Sequence, residues 1–116
     1  MITLKNQREF ERVFKKGRAS SHPDLVVLGH KRRPFGPRVG FCISRKTGKA
    51  VVRNKLRRRL KEIMREFEGR LDPQWDLVIV SKPSSACLTY SHLKKRVTKL
   101  LQKLGVLASS AELLSR

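Results

Sequence analysis

The chain has 116 residues, which is enough for one compact domain and too few for two. It carries 28 Lys and Arg residues against 9 Asp and Glu residues, a formal net charge of +19. Because so much charge opposes compaction, we expect a polyanionic partner: RNA, a membrane surface or the interior of a ribosome. No segment has the roughly eighteen consecutive apolar residues of a membrane span, so a transmembrane protein is not expected.

The two cysteines, Cys42 and Cys87, lie far apart and outside any CxxC or Cys/His spacing. A disulfide framework or a zinc site is therefore poorly supported, and a reducing compartment fits better. The stretch MITLKNQREF lacks the apolar run of a signal peptide. We expect a cytoplasmic protein.

The first predicted element is a short helix over residues 7–16. Asn6 and Glu9 have the spacing of a capping box, with Asn in place of Ser or Thr. Gly17 is a natural residue just past a helix end. The apolar residues at helical spacing within it are Phe10, Val13 and Phe14.

Two strands are predicted next, in DLVVLGHK and RVGFCIS, with Pro34, Gly36 and Pro37 between them. A short strand before His22 is only weakly indicated. The second strand alternates, so one face carries larger side chains and the other smaller ones. The larger residues are Val39, Phe41 and Ile43, and the smaller ones are Gly40, Cys42 and Ser44.

The spacing of apolar residues predicts a helix over about residues 50–67 and a second helix from about Ser91 to Gly105. Between them, WDLVIVSK is predicted to be a strand. Residues 106–116 are expected to form a loose tail. The order α-β-β-β-α-β-α predicts one α+β domain over residues 1–116, a two-layer sandwich of helices on a mixed sheet.

The helix over residues 50–67 has two different sides. An apolar stripe about 80° wide consists of Val52, Leu56, Leu60, Ile63 and Phe67. A basic sector within about 100° consists of Asn54, Arg57, Arg58, Lys61 and Arg65. Arg53 lies on the boundary between them. Arg suits phosphate because its planar guanidinium can bind two oxygens at once.

A basic turn, Arg45–Lys46–Thr47–Gly48–Lys49, precedes this helix and predicts an anion site at the helix N-terminus. A merely solvated face is the alternative, but solubility alone would intersperse Glu with Lys. A membrane-surface helix would need a broad free apolar face. The pattern therefore favours a surface that binds a nucleic acid.

The stretch GKAVVRNKLRRRLKE resembles the arginine- and asparagine-containing signature of the bacterial ribonuclease P protein subunit. Other landmarks of that family occur in the same order: LKNQREFERVFKKG, LVVL, RVGFCISRKTGKA and WDLVIVSKP. The resemblance implies a ribosomal-protein-like fold in which the signature helix forms a left-handed βαβ crossover, a rare topology.

The resemblance also implies a function. Proteins of this family join a catalytic RNA in one-to-one complexes, and together they remove the 5′ leader of precursor tRNA. The RNA holds most of the Mg²⁺ and performs the phosphodiester hydrolysis. The protein would contribute no catalytic residue and no metal ligand. It would bind the catalytic RNA and the leader.

Carried over by position, the expected contacts with the catalytic RNA are Arg45, Lys46, Lys49, Arg53, Asn54, Lys55, Arg57, Arg58, Lys61 and Arg65. The expected leader cleft lies between the first helix and the sheet, and its residues are Phe10, Val13, Phe14, Leu28, Cys42, Ser44 and Arg53. Leu28 stands where the family often has an aromatic residue, and Cys42 where it often has Ser. The small face of the second strand leaves room for an extended chain. The alternative for Phe10 and Phe14 is ordinary core packing.

Three other classes of protein remain to be separated from this function. A metal-dependent nuclease would need clustered carboxylates, but Asp72 and Asp76 border a strand start as ordinary turn residues. A structural RNA-binding protein of the ribosome type would share the charge and the fold, and it stays the runner-up. A DNA-compacting protein would need an arm or a groove-reading motif, which the sequence does not show.

Overall fold

The structure is a computed structural model and describes residues 2–4, 6–31, 38–72 and 74–107. Its sheet has five strands in the order β1-β4-β5-β3-β2. The elements are β1 (Ile2–Thr3), α1 (Gln7–Lys16), β2 (Arg18–Ser21), β3 (Leu25–Lys31), β4 (Arg38–Ile43), α2 (Ala50–Glu66), β5 (Trp75–Ser81) and α3 (Tyr90–Leu104). Short 3₁₀ helices cover Arg45–Thr47 and Pro83–Cys87.

The predicted order α-β-β-β-α-β-α is confirmed from α1 onward, and the weakly indicated strand before His22 is β2. The two-residue strand β1 was not predicted. Strand β5 pairs antiparallel with β3 and parallel with β4. Since α2 joins the parallel neighbours β4 and β5, the chain contains a βαβ unit.

Helices pack on both faces of the sheet. Leu77 and Ile79 of β5 face α2 and α3, which together with the sheet form the predicted two-layer sandwich. Val78, between them in β5, faces the opposite side, where it packs with Val13 of α1. Leu28, Cys42 and Val80 on that opposite side stay half-buried. Helix α1 therefore covers its face of the sheet only in part.

The apolar stripe of α2 is buried as predicted at Leu56, Leu60, Ile63 and Phe67, and Met64 joins it. Val52 departs from the prediction, because 41% of its surface is exposed. It lies in the first turn of α2, against Gly48 of the preceding turn. Each fully buried Leu of this stripe contributes roughly 1.5–3 kcal/mol of transfer free energy. The core therefore holds α2 by its second to fifth turns.

The ends of α1 differ in detail from the prediction. The Asn6 side chain accepts a hydrogen bond from the Arg8 backbone N–H at 2.8 Å, and Glu9 pairs with Arg38 instead of completing a capping box. Gly17 has φ −79°, so no left-handed conformation requires glycine there. A Cβ at Gly17 would lie 2.3 Å from the Val13 carbonyl oxygen, so close packing excludes a side chain.

The C-terminal helix begins at the cap Thr89 and ends at Gly105, which has φ +80° as the left-handed cap. Val106 is 1% exposed, and Leu107 forms a β-bridge with Leu71. The first two residues of the predicted loose tail are therefore packed against the domain. Residues 108–116 lie outside the described residues.

Candidate nucleic-acid interface

The exposed side of α2 and the turn before it form one basic surface, called here the basic face. The ten predicted RNA-contact residues lie in that turn and in α2, but Lys55 is on the side of α2 next to Arg59 and Ala86. The exposed members are Arg45, Lys46, Lys49, Asn54, Lys55, Arg58 and Arg65, and the half-buried members are Arg53, Arg57 and Lys61. Because the opposite side of α2 is fixed in the core, the basic face is presented by a rigid element.

The turn before α2 prepares its N-terminus for an anion. Ser44 caps the 3₁₀ helix by accepting a hydrogen bond from the Lys46 backbone N–H at 3.2 Å. Gly48 then has φ +148°, a conformation that favours glycine. The N-cap of α2 is Lys49, which makes no side-chain cap, and the first turn of α2 has no acidic residue. The free N–H groups there attract negative charge.

Arg53 has an unsatisfied donor at the edge of the basic face. Its Nε atom is buried and has no hydrogen-bond partner. A buried donor without a partner costs about 1–3 kcal/mol. Among the described residues, Arg53 therefore has a donor whose cost no protein group offsets.

Intramolecular ion pairs neutralise little of the basic face. Arg57 donates to the Asn54 side-chain oxygen at 3.3 Å, and Arg65 pairs with Glu62 at 3.2 Å. The Arg65 and Glu62 side chains are 67% and 59% exposed, so this pair is weak in water. The guanidinium groups therefore stay available to a polyanion.

The predicted cleft lies beside α1, and the two phenylalanines differ within it. Phe10 is half-buried, and a Cβ added to Gly40 would lie 2.5 Å from its Cζ atom. The ring thus occupies the room that the small strand face was expected to leave at Gly40. Phe14, one turn later, is 47% exposed. Core packing accounts for Phe10, whereas Phe14 offers its ring to solvent.

Val13 is fully buried between α1 and the sheet, so it offers no surface to a ligand. It packs with Val78 and so holds α1 on β5, while its place in the leader cleft stays a prediction. Three other predicted cleft residues, Leu28, Cys42 and Ser44, are half-buried and line the same region of the sheet.

Cys42 connects the cleft with the basic face. Burial raises the pKa of its thiol, and the Arg57 guanidinium acts in the opposite direction, lowering it. Arg57 therefore lies near enough to act on a group of the sheet face. The basic face and the cleft are neighbouring surfaces, with Arg57 on their common border.

Sequence reasoning missed the ion pairs that fix α1. Asp76 is not a turn residue: it is 3% exposed within β5 and binds Arg38 of β4. Arg38 also pairs with Glu9 of α1. These residues lie far apart in the sequence, and only the strand register, which places Arg38 opposite Asp76, brings them together.

Five of the described carboxylates, those of Glu9, Asp24, Glu62, Glu66 and Asp76, have cationic partners. Asp24 lies 3.8 Å from Arg96, and Glu66 pairs with Lys94 at 2.8 Å. In residues 2–4, 6–31, 38–72 and 74–107, no three His, Cys, Asp or Glu side chains are grouped so that they could hold a metal ion. No helix in the described ranges could cross a membrane.

Comparison with known proteins gives the family directly. The family model described as Ribonuclease P matches residues 2–105. A protein of Geobacillus sp. (strain WCH70) named "Ribonuclease P protein component" is 34% identical, covering 90% of each chain. A protein of the same name from Bacillus mycoides (strain KBAB4) is 32% identical over 89% of this chain and 90% of its own length.

Solved structures agree with this fold. The RNase P protein of Thermotoga maritima superimposes with a TM-score of 0.80 at 28% identity, over 89% of this chain and 97% of its own. The RNase P protein of Staphylococcus aureus gives a TM-score of 0.85 at 22% identity, over 92% and 98% of the two chains, which is a likeness of fold. The chain belongs to the family of the ribonuclease P protein component.

Proposed function

We propose that this chain is the protein subunit of a ribonuclease P holoenzyme, binding the catalytic RNA and the 5′ leader of precursor tRNA. Family membership supports this proposal. The observation that carries it is the contiguity of two surfaces, the basic face of α2 and the cleft beside α1. Arg57 on their border can contact both RNAs, so one small domain can hold the leader next to the catalytic RNA.

The basic face binds the catalytic RNA. Its arginines present planar guanidinium groups that match phosphate oxygens, and the uncapped N-terminus of α2 adds backbone N–H donors. The helix is fixed in the core by its apolar stripe, so the cationic groups start from defined positions. This arrangement lowers the entropy lost when the RNA binds.

The cleft binds the leader through stacking and polar contacts. The exposed ring of Phe14 can stack on an unpaired base, which is worth about 1–3 kcal/mol per base. Phe10, packed on Gly40, forms the wall beside it. Leu28 of β3 and Cys42 of β4 form an apolar floor. The family often has an aromatic residue at the position of Leu28 and Ser at the position of Cys42.

The reaction chemistry and the Mg²⁺ ions belong to the RNA in this proposal. Glu9, Asp24, Glu66 and Asp76 are paired with Arg38, Arg96 and Lys94, so these carboxylates already have cationic partners. The protein therefore assists without a catalytic residue: it neutralises phosphate repulsion between the two RNAs and orients the leader. A 1:1 complex in the cytoplasm completes the proposal.

The decisive experiment is cleavage of precursor tRNA by a bacterial ribonuclease P RNA at low Mg²⁺, with and without this protein. We expect the protein to stimulate cleavage and to lower the Mg²⁺ concentration required. A protein with Arg53, Arg57 and Arg58 replaced by Ala serves as the matched control. If the unmodified protein gives no stimulation, the chain is a structural RNA-binding protein of the ribosome type instead.

A further inference from the structure

A groove lies between α2 and the second 3₁₀ helix, beside the basic face, and we call it the α2 groove. Its volume is about 340 Å³. Val51, Leu56 and Ala86 give it an apolar floor, and Lys55 and Arg59 lie beside them. Two separate elements thus form a concave site that combines apolar and cationic groups.

The fold does not explain the apolar side chain of Val51. It is 78% exposed, so it contributes almost nothing to the core. Valine also forms helices less readily than Ala, Lys or Arg, because its branched Cβ restricts its rotamers in a helix. A single exposed apolar residue is ordinary on a protein surface. The position of Val51 over a concave apolar floor, rather than its exposure alone, indicates contact with a partner.

The cations beside the α2 groove select a negatively charged occupant. No acidic residue occurs in residues 44–61 or 82–88, which include both of its walls. Lys55 is exposed. Arg59 is half-buried, and its Nη1 atom donates to the Leu88 carbonyl oxygen at 3.4 Å, so its guanidinium is held beside the groove. A second copy of the chain is disfavoured as occupant, because two chains of charge +19 repel each other.

The size and the end of the α2 groove limit the occupant to one small group. Its volume is near the lower limit of ligand pockets, which is about 300 Å³. Glu62 and Glu66 follow on the same side of α2 as Lys55 and Arg59, since residues three or four apart share a helix face. These carboxylates interrupt the positive charge, so an RNA backbone does not continue along this side. The groove fits one group that has an apolar face and a neighbouring negative charge.

We propose that the α2 groove holds one unpaired nucleotide of the catalytic RNA, with its base on Val51 and Ala86 and its phosphate at Lys55. Unpaired bases have flat faces that pack on protein side chains, and arginine guanidinium groups commonly stack on them. The position of the groove selects RNA over an acidic peptide. Val51 lies seven residues, or about two helical turns, before Arg58 of the basic face, so an RNA bound to that face reaches the groove. The proposal rests on the function proposed above and adds a base contact to its phosphate contacts.

The first test is assembly with a bacterial ribonuclease P RNA at several salt concentrations. V51S removes the apolar contact and A86L fills the groove, and neither changes the charge. K55A removes the phosphate contact. The controls are Y90A, which removes another exposed apolar side chain, and K31A, which removes an exposed lysine of β3. Far-UV circular dichroism and urea midpoints check that every variant folds.

V51S and A86L should each weaken assembly by about tenfold at every salt concentration, the loss that corresponds to one small buried apolar side chain. The slope of log K against log salt should not change, because no charge is removed. K55A should instead lower that slope by about 0.7–0.9, and K31A should not. If V51S and A86L assemble as tightly as Y90A, the proposal is overturned.

Base-specific chemical probing of the RNA locates the nucleotide. At protein concentrations that saturate the RNA, the unmodified protein should protect the base of one unpaired nucleotide. That base should become reactive when V51S or A86L replaces the unmodified protein. A protection pattern that is the same for all three proteins overturns the base contact.

Two single-stranded RNA oligonucleotides, one with bases and one abasic strand with the same number of phosphates, separate this proposal from the earlier one. The protein carries F14A, so that stacking in the cleft does not contribute. It should bind the strand with bases more tightly, and adding V51S or A86L should remove that preference. These strands respond even if the chain binds no ribonuclease P RNA. If an acidic, leucine-containing peptide binds the groove more tightly than the strand with bases, the assignment to RNA is overturned.

Discussion

Arg38 donates two parallel hydrogen bonds to Asp76, from Nε to Oδ1 at 3.0 Å and from Nη2 to Oδ2 at 2.9 Å. The third guanidinium nitrogen, Nη1, pairs with Glu9, so one side chain joins β4, β5 and α1. The hydrogen bond with Asp76 raises the pKa of Arg38, although burial acts in the opposite direction. The position of α1, and of the phenylalanines it carries, depends on this contact.

Replacing Asp76 by Asn should destabilise the protein by about 3 kcal/mol, because it leaves the Arg38 charge buried with only Glu9 opposite it. The Arg38 and Asp76 side chains are 18% and 4% exposed, so solvent compensates little. Urea unfolding measures the loss. The control is E9Q, whose partner carboxylate is 24% exposed, and it should lose less than about 1 kcal/mol. Equal losses in the two variants would contradict this account.

Replacing Gly40 by Ala should destabilise the protein by about 1–3 kcal/mol through overpacking. The new Cβ would lie 2.5 Å from the Phe10 ring, and 3.0 Å from Leu4 Cβ. A double-mutant cycle with F10L checks the cause, since the smaller side chain should relieve most of the cost. If the changes in unfolding free energy of the two single variants add fully in the double variant, the added Cβ does not clash with the Phe10 ring.

Replacing Phe14 by Ala should weaken holoenzyme binding of precursor tRNA by about 1–3 kcal/mol per lost base stack, and leave mature tRNA unaffected. Because Phe14 is 47% exposed, protein stability should change little. The control is V52A, since Val52 is 41% exposed but lies outside the cleft. Equal losses for precursor and mature tRNA would show that the ring only supports packing.

Replacing Arg53, Arg57 and Arg58 by Ala should weaken assembly with the catalytic RNA and flatten its salt dependence. The log–log slope should fall by about 0.7–0.9 per lost phosphate contact, or by about 2–3 for the three residues. Filter binding over a range of salt concentrations measures the slope. The variant with K16A, K31A and K82A removes the same charge elsewhere. An unchanged slope for the arginine variant would remove α2 from the interface.

Cys42 should alkylate more slowly than the exposed Cys87. Burial raises the pKa of the Cys42 thiol, so its thiolate fraction is smaller at a given pH, and its rate should increase as the pH rises. Binding of a precursor with a long leader should slow Cys42 further and leave Cys87 unchanged, as mass spectrometry after timed labelling would show. If the bound leader does not change the alkylation rate of Cys42, the leader does not lie on Cys42.

The sequence by itself determined the order of elements and the two-sided character of α2. Those features depend on local periodicity, which is a property of neighbouring residues. The stripe of α2 followed the pattern, apart from Val52 at the first turn of the helix. The signature from Gly48 to Glu62 also indicated the family, because a sequence motif does not depend on tertiary contacts.

Only the tertiary structure decided which apolar and charged residues serve the cleft. Phe10 and Phe14 have the same spacing signal, but the Phe10 ring packs on Gly40 of a distant strand and Phe14 stays 47% exposed. Arg38 and Asp76 are 38 residues apart, and their pairing follows from the β4–β5 register. Long-range contacts of this kind depend on how elements pack, and local patterns contain no information about that packing.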